Sequence, residues 1–109
     1  MSSSSNSPIK FVASGFPSPG DDFAKHSLDL NSYLIDHPSA SFFMRIEGNA
    51  YRDLEIYDGD ILLVDRARSP KAKDLVIAIA EELGIKTLEE LRKNKQELWG
   101  VVTTVIRQL

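Results

Sequence analysis

The most informative stretch of the sequence covers residues 42–65 and reads FFMRIEGNAYRDLEIYDGDILLVD. Over 42–47 the apolar residues Phe42, Met44 and Ile46 alternate with Phe43, Arg45 and Glu47. This period of two is typical of a half-buried β-strand. Gly48-Asn49 follows, and both residue types tolerate the positive φ of a tight turn. Asp58-Gly59 is a second turn signal, and the apolar run 61–64 shows no helical period. The stretch therefore predicts a strand, a turn and a second strand that is buried on both faces.

This stretch resembles the UmuD/LexA group, the self-cleaving Ser-Lys peptidases of the bacterial SOS response. In that family a Gly-Asp/Asn-Ser-Met turn presents the nucleophilic serine, and an Asp-Gly-Asp motif with an apolar strand follows. Here the turn reads Gly48-Asn49-Ala50-Tyr51, and residues 57–65, YDGDILLVD, match the second motif. Ala50 occupies the serine position. The resemblance thus implies a peptidase scaffold whose nucleophile is missing.

A second match lies near the N-terminus, where residues 14–20 read SGFPSPG. The family cleaves itself after a small residue that precedes Gly-Phe-Pro-Ser-Pro, so the resemblance places the scissile bond at Ser14-Gly15. A small residue and a glycine let a nucleophile approach the backbone closely, and the prolines keep the chain extended. The alternative is a plain linker, but the family-like sequence LDLN at 28–31 favours a cleavage segment.

The resemblance implies a mainly β fold, a small twisted sheet or partial barrel of the LexA/UmuD C-terminal peptidase type with one or two short helices. At 109 residues the chain is long enough for one domain with one modest core. Residues 1–14 are Ser-rich and are predicted to be a disordered arm, although the more apolar 9–13 can dock as an extended segment. Residues 15–109 are predicted to form the domain. Further elements are expected as strands at 74–80 and 99–106 and as short helices at 23–26 and 33–35.

Residues 81–97 allow two interpretations. The leucine spacing, with a capping-box pattern at Thr87–Glu90, predicts a helix from about Leu88 to Glu97. The resemblance instead matches Ile85-Lys86-Thr87-Leu88 to the family strand that holds the catalytic lysine. Lys86 is then the candidate general base, because a lysine stripped of water can accept the proton of a hydroxyl. The alternative is an ordinary surface or helix-start lysine.

Composition narrows the classes of function. The chain has 16 acidic and 13 basic residues and a net charge of −3, which argues against direct nucleic-acid binding as its main activity. The absence of cysteine excludes disulfides, thiolate zinc sites and cysteine nucleophiles. His26 and His37 lack metal-ligand spacing and are interpreted as surface or capping residues, so no metal or cofactor is expected.

The chain is expected to be soluble and cytoplasmic, without contact to a membrane, since its apolar runs are far shorter than a membrane span. The basic run 66–73 is interpreted as a solvated loop, because no aromatic residue is interleaved to stack on bases.

These observations lead to a functional hypothesis with one alternative. Ala50 has no atom that can attack a carbonyl, and Ser39 and Ser41 lie too far along the chain to replace it. The resemblance implies an inactive UmuD-like accessory protein that forms a homodimer, or a heterodimer with an active relative, and regulates an error-prone translesion DNA polymerase. The terminal strand is expected in the dimer interface.

The alternative is cleavage at Ser14-Gly15 in trans by an active partner, prompted by the RecA filament. A LexA-like repressor is disfavoured because the arm is too short for a helix-turn-helix.

Overall fold

The computed structural model describes residues 7–14 and 30–109. Within them the chain forms six strands and two short α-helices. One single-turn 3-10 helix precedes the second strand at Pro38–Ala40, and another follows it at Arg52–Leu54. In chain order the elements are β1 Ile9–Ser14, α1 Leu30–Leu34, β2 Ser41–Ile46, β3 Ile61–Asp65, β4 Leu75–Ile79, β5 Leu83–Thr87, α2 Leu88–Lys93 and β6 Glu97–Ile106.

All six strands belong to one sheet in the order β1-β2-β3-β6-β4-β5, and every neighbouring pair is antiparallel. The sheet curls into a half-barrel. The mainly β fold, with a partial barrel and two short helices, is therefore confirmed. β1 and β5 lie at opposite ends of the strand order, which matters for the site described below.

The two faces of the sheet carry separate apolar clusters. Successive side chains of a strand point to opposite faces, so Ile77 joins one cluster while its neighbours Val76 and Ala78 join the other. α2 covers the second face with the buried Leu88 and Leu91. The larger cluster on the first face contains Ile9, Met44, Ile46, Ile56, Leu62, Val64, Ile77 and Ile85.

The strands predicted from the sequence are present, with shifted ends, as β2, β3, β4 and β6. Residues 81–97 contain both the strand and the helix that the two interpretations predicted. β5 ends at Thr87, and α2 begins at Leu88. The capping box is confirmed: Glu90 N–H donates to Thr87 Oγ1 over 3.1 Å, and Thr87 N–H donates to Glu90 Oε1 over 3.2 Å. The helix ends at Lys93 rather than Glu97, since Lys95 adopts a left-handed conformation with φ 55°.

Residues 9–14, which composition placed in a disordered arm, form β1 and pair with β2. Ile9 is buried in the larger cluster, so the extended docking expected for 9–13 has an apolar anchor. α1 at Leu30–Leu34 lies close to the short helix predicted at 33–35. The helix predicted at 23–26 lies outside the described residues.

Candidate active site

The turn that carries Ala50 is held by the second turn motif of the same stretch. Gly48 has φ +88°, and its N–H donates to Asp58 Oδ1 over 2.6 Å. Gly59 has φ +89°, and its N–H donates to the Ile46 carbonyl over 2.7 Å. Only glycine adopts such φ values without steric cost, which explains both residues. Ala50 itself is exposed on this turn.

A buried carboxylate anchors the segment between the two turns to the end of the chain. Asp60 is 1% exposed and accepts hydrogen bonds of 2.8 Å from Nε and from Nη2 of Arg107. It also accepts one of 2.9 Å from the Tyr57 N–H. The Arg107 hydrogen bonds lower the pKa of Asp60 below its ordinary value. Sequence reasoning missed this clamp, because nothing in the sequence links residues 47 positions apart.

Tyr51 connects the Ala50 turn to the edge strand β5. Its ring packs against the larger apolar cluster, and its hydroxyl lies 3.5 Å from where a Cβ on Gly84 would stand. Burial raises the pKa of Tyr51, a hydrogen bond with the Ile85 backbone partly opposes this, and the charge of Glu82 adds to it. The phenol therefore stays protonated to a higher pH than an exposed tyrosine, which makes it a poor nucleophile.

Lys86 and Tyr51 line the same cavity, which has a volume of about 440 Å³. Lys86 lies on β5 opposite Val76 of β4 and is half-buried. No ion pair to Lys86 is formed within residues 7–14 and 30–109. The remaining lining residues are Ala78, Ala80, Glu81, Glu82, Leu83, Gly84 and Gln96. Lys86 thus occurs on a strand, as the resemblance implies, and shares its cavity with the residue next to Ala50.

Ser14 is the last residue of β1, where it pairs with Phe42. Four strands separate β1 from β5 in the sheet order. The sheet therefore does not place the Ser14 strand beside the Lys86 strand. Gly15 lies outside the described residues.

His37 contacts a buried aspartate that the sequence did not indicate as its partner. Its Nδ1 lies 2.6 Å from Asp65 Oδ2, while Asp65 Oδ1 accepts the Ala67 N–H over 2.8 Å. Ser41 is nearby, but its hydroxyl donates to the His37 carbonyl over 2.8 Å rather than to the ring. These three residues therefore fix the loop before β2 and do not form a nucleophilic triad.

The described residues form neither a metal centre nor a helix that could span a membrane. No group of three or more His, Asp or Glu side chains converges there. None of the helices formed by these residues has the length and apolar character needed to cross a bilayer.

Three aromatic rings from different strands meet at the surface. Trp99 of β6 lies edge-on to Phe42 of β2, with centroids 5.1 Å apart, and to Phe11 of β1 at 5.7 Å. Phe11 is 57% exposed.

The Arg66 guanidinium stacks over Trp99 at 4.4 Å, and Arg68 pairs with Asp36. The basic run thus contacts an aromatic residue that is distant in sequence, so part of this predicted solvated loop is packed.

Comparison with known proteins agrees with this architecture. The profile of the family described as Peptidase S24-like matches residues 8–99. Protein ImpA of Salmonella typhimurium is 48% identical over 75 residues, which are 68% of this chain and 52% of ImpA. Protein MucA of Escherichia coli is 40% identical over a gapped alignment of 115 residues, which covers 87% of this chain and 79% of MucA. Protein SamA of Salmonella typhimurium is 34% identical over 110 residues, covering 86% and 79%. The chain thus spans about half the length of ImpA.

Proposed function

Because the chain belongs to the Peptidase S24-like family, we propose that it is a UmuD-like accessory protein of the SOS response that does not cleave itself. In this role it forms a dimer and regulates an error-prone translesion DNA polymerase. One observation carries the proposal: the family turn is retained with Ala50 at the position of the nucleophile, and the adjacent Tyr51 shares a cavity with Lys86. The similarity to ImpA, MucA and SamA supports the family role.

The aromatic cluster of Phe11, Phe42 and Trp99 supports the proposed dimer. It includes the terminal strand that the resemblance implies in the interface, and it exposes apolar area at the surface. Light scattering after size-exclusion chromatography should give the mass of two chains for the native protein. Phe11→Ser should shift the mass toward one chain. Tyr33→Ser, which removes another exposed aromatic ring, serves as the matched control and should leave the dimer intact. A native protein that stays monomeric would remove the dimer from the proposal.

The polymerase partnership is tested by co-expression. The tagged protein should co-purify with an error-prone polymerase of the lesion-bypass class, and the Phe11→Ser variant should retain less of it if the dimer is the binding unit. If the polymerase does not co-purify with the native protein in any preparation, the proposed role is contradicted.

Processing in trans is the second candidate function. Ser14 and Lys86 lie on strands at opposite ends of the sheet order, which favours a nucleophile from another chain over one from the same chain. The protein would be incubated with MucA and RecA filaments on single-stranded DNA, and its intact mass followed. Removal of residues 1–14 supports this candidate, and an arm that remains uncut while MucA is processed eliminates it.

A further inference from the structure

β6 is longer than the strand that borders it on one side. β4 pairs with β6 only from Glu97 to Val102, while β3 continues along the other side as far as Ile106. Within the described part of the chain, no strand therefore lies beside residues 103–106 on the β4 side. Val105 and Ile106 remain 40% and 39% exposed. The last four residues of β6 thus present an open, β-branched edge that is held to the sheet by β3 alone.

Arg107 follows this open edge directly and reaches into the turn segment, residues 48–60. Its guanidinium binds both carboxylate oxygens of the buried Asp60, as described above, and stacks over the Tyr57 ring at 4.9 Å. Its Nη2 also donates to the Glu55 carbonyl over 3.1 Å. One side chain therefore joins the end of β6 to three positions of the turn segment.

The bond to Glu55 holds a backbone conformation that is unfavourable by itself. Glu55 is left-handed with φ 62°, which residues with a Cβ rarely adopt. It ends a single helical turn in which the Leu54 N–H donates to the Tyr51 carbonyl over 2.9 Å. The Ile56 N–H donates to the same carbonyl over 3.2 Å. The guanidinium that binds Glu55 is thus linked through one turn to Tyr51, the neighbour of Ala50.

These contacts provide a physical route from the open edge to the turn segment. A strand that is paired on one side only opens locally more often than one paired on both sides, because opening breaks fewer hydrogen bonds. A second chain that adds to residues 103–106 fixes the strand from which Arg107 extends. Arg107 then keeps its bonds to Asp60 and Glu55 for a larger fraction of the time. The coupling is reciprocal, so an intact bridge favours the paired strand by the same factor.

We propose that Arg107 is a positioning residue that couples the dimer contact of β6 to the conformation of the turn segment. A second copy of the chain bound along residues 103–106 stabilises the bridge to Asp60 and makes the turn around Ala50 more rigid. The proposal rests on the proposed function, in which the terminal strand belongs to the dimer interface. A partner protein that binds the exposed turn can then distinguish a paired chain from a free one.

Hydrogen exchange measured by NMR tests this coupling. The reporter amides are those of Gly48, Tyr57 and Gly59, because each donates a hydrogen bond that fixes the turn segment. The native protein is measured at concentrations below and above the midpoint of dimer formation, which light scattering defines. Exchange of the reporter amides should slow roughly fivefold or more in the dimer.

Arg107→Lys removes the coupling while it preserves the charge. The lysine keeps a cation beside the buried Asp60, so the fold should persist, but it lacks the planar fork that binds Asp60 and Glu55 together. In this variant the exchange of the reporter amides should no longer depend on dimer formation, and the dimer should be weaker by the same factor. Arg45→Gln is the matched control, because it removes the exposed pair of Arg45 with Glu47 beside the turn segment. It should behave like the native protein.

Three outcomes would overturn the inference, and they are distinguishable. A dimer whose formation leaves the reporter amides unchanged refutes the coupling, while the proposed dimer stands. If exchange slows equally in the native and Arg107→Lys proteins, the coupling does not pass through Arg107, and its positioning role is refuted. If light scattering shows only single chains at every concentration, the dimer is removed from the proposed function, and the inference falls with it.

Discussion

Ala50 presents a methyl group where the family resemblance implies a serine hydroxyl. A methyl carbon has no lone pair, so Lys86 has nothing to deprotonate at this position. Among the residues that line the cavity, Tyr51 carries the hydroxyl, and burial keeps it protonated to a higher pH than an exposed tyrosine. At the scale of single residues the described cavity therefore offers Lys86 no hydroxyl that is ready to attack a carbonyl.

Tyr51 yields a prediction about alkaline pH. Its pKa in the folded protein lies above the ordinary value of 10.0, so the protonated phenol contributes stability that is complete below pH 10 and is lost as the pH rises through the folded pKa. The unfolding free energy of the native protein should therefore fall more steeply above pH 10 than that of Tyr51→Phe. Denaturant titrations of both proteins across this range measure the difference. Parallel curves would show that Tyr51 is not buried as described.

Asp60 yields the opposite dependence at acidic pH. The pKa of Asp60 is lower in the folded protein than in the unfolded chain. The ionised carboxylate therefore contributes fully to stability above the unfolded pKa of about 3.9, and this contribution is lost as the pH falls through the folded pKa. Asp60→Asn should lower the unfolding free energy at pH 7 by about 1–3 kcal/mol, because it weakens charge-assisted hydrogen bonds. The gap between variant and native protein should shrink below pH 4. Asp53→Asn, at an exposed position, is the control, and a gap that does not depend on pH would contradict the clamp.

The junction of β5 and α2 shows what the sequence reveals about elements and what it conceals. Thr87 and Glu90 form a capping box that is readable from the sequence, so the start of the helix was predictable. Its end was not, because the left-handed position is held by Lys95 and not by the glycine that usually marks it. The predicted helix therefore ran on to Glu97, which in the structure already belongs to β6.

Lys95→Gly should relieve this unfavourable conformation. A left-handed backbone costs a residue with a Cβ about 1–2 kcal/mol, part of which is offset because glycine gains freedom in the unfolded chain. We expect a net gain of about 0.5–1 kcal/mol in the free energy of unfolding, measured by denaturant titration. Lys93→Gly, at the last helical residue of α2, has no left-handed backbone to relieve and should instead lose up to about 1 kcal/mol. A loss at both positions would show that the helix does not end as described.

Gly100 is required by the close approach of β6 to β3. A Cβ at this position would lie 2.7 Å from Val64 Cγ1 and 3.5 Å from the Asp65 carbonyl oxygen. Val64 is fully buried and cannot move away freely, so Gly100→Ala should cost about 1–3 kcal/mol of stability. Gly84→Ala is the matched control, because its Cβ would meet only the Tyr51 hydroxyl at an ordinary 3.5 Å. Equal stability of the two variants would argue against this packing.

At the scale of the whole molecule, the sequence predicted the strands better than their arrangement. Period and turn residues located β2 and β3, but the contacts that complete the molecule depend on the sheet order. Two such contacts join residues far apart in sequence: the ion pair of Arg107 with Asp60 and the aromatic contact of Phe11 with Trp99. No local sequence pattern predicts either of them. The mainly β, half-barrel class was anticipated through the family resemblance, which carries such long-range information.

For the candidate site, too, the resemblance supplied information that local sequence patterns lack. The motif around Ala50 and the strand of Lys86 were identified by resemblance, and the cavity now joins Lys86 to Tyr51. Gln96 was not foreseen, because it reaches the cavity only through the end of α2. The separation of Ser14 on β1 from Lys86 on β5 likewise follows only from the sheet order.

We propose that the chain keeps a peptidase scaffold that lacks only a working nucleophile. The most direct test is the intact mass of the double variant Ala50→Ser, Tyr51→Met after incubation at alkaline pH, where more of the lysine is neutral. We predict a cut after Ser14 in this variant, no cut in the native protein, and no cut when Lys86→Met is added. An uncut double variant would contradict the claim, since the retained turn and lysine would then be unable to support the family chemistry.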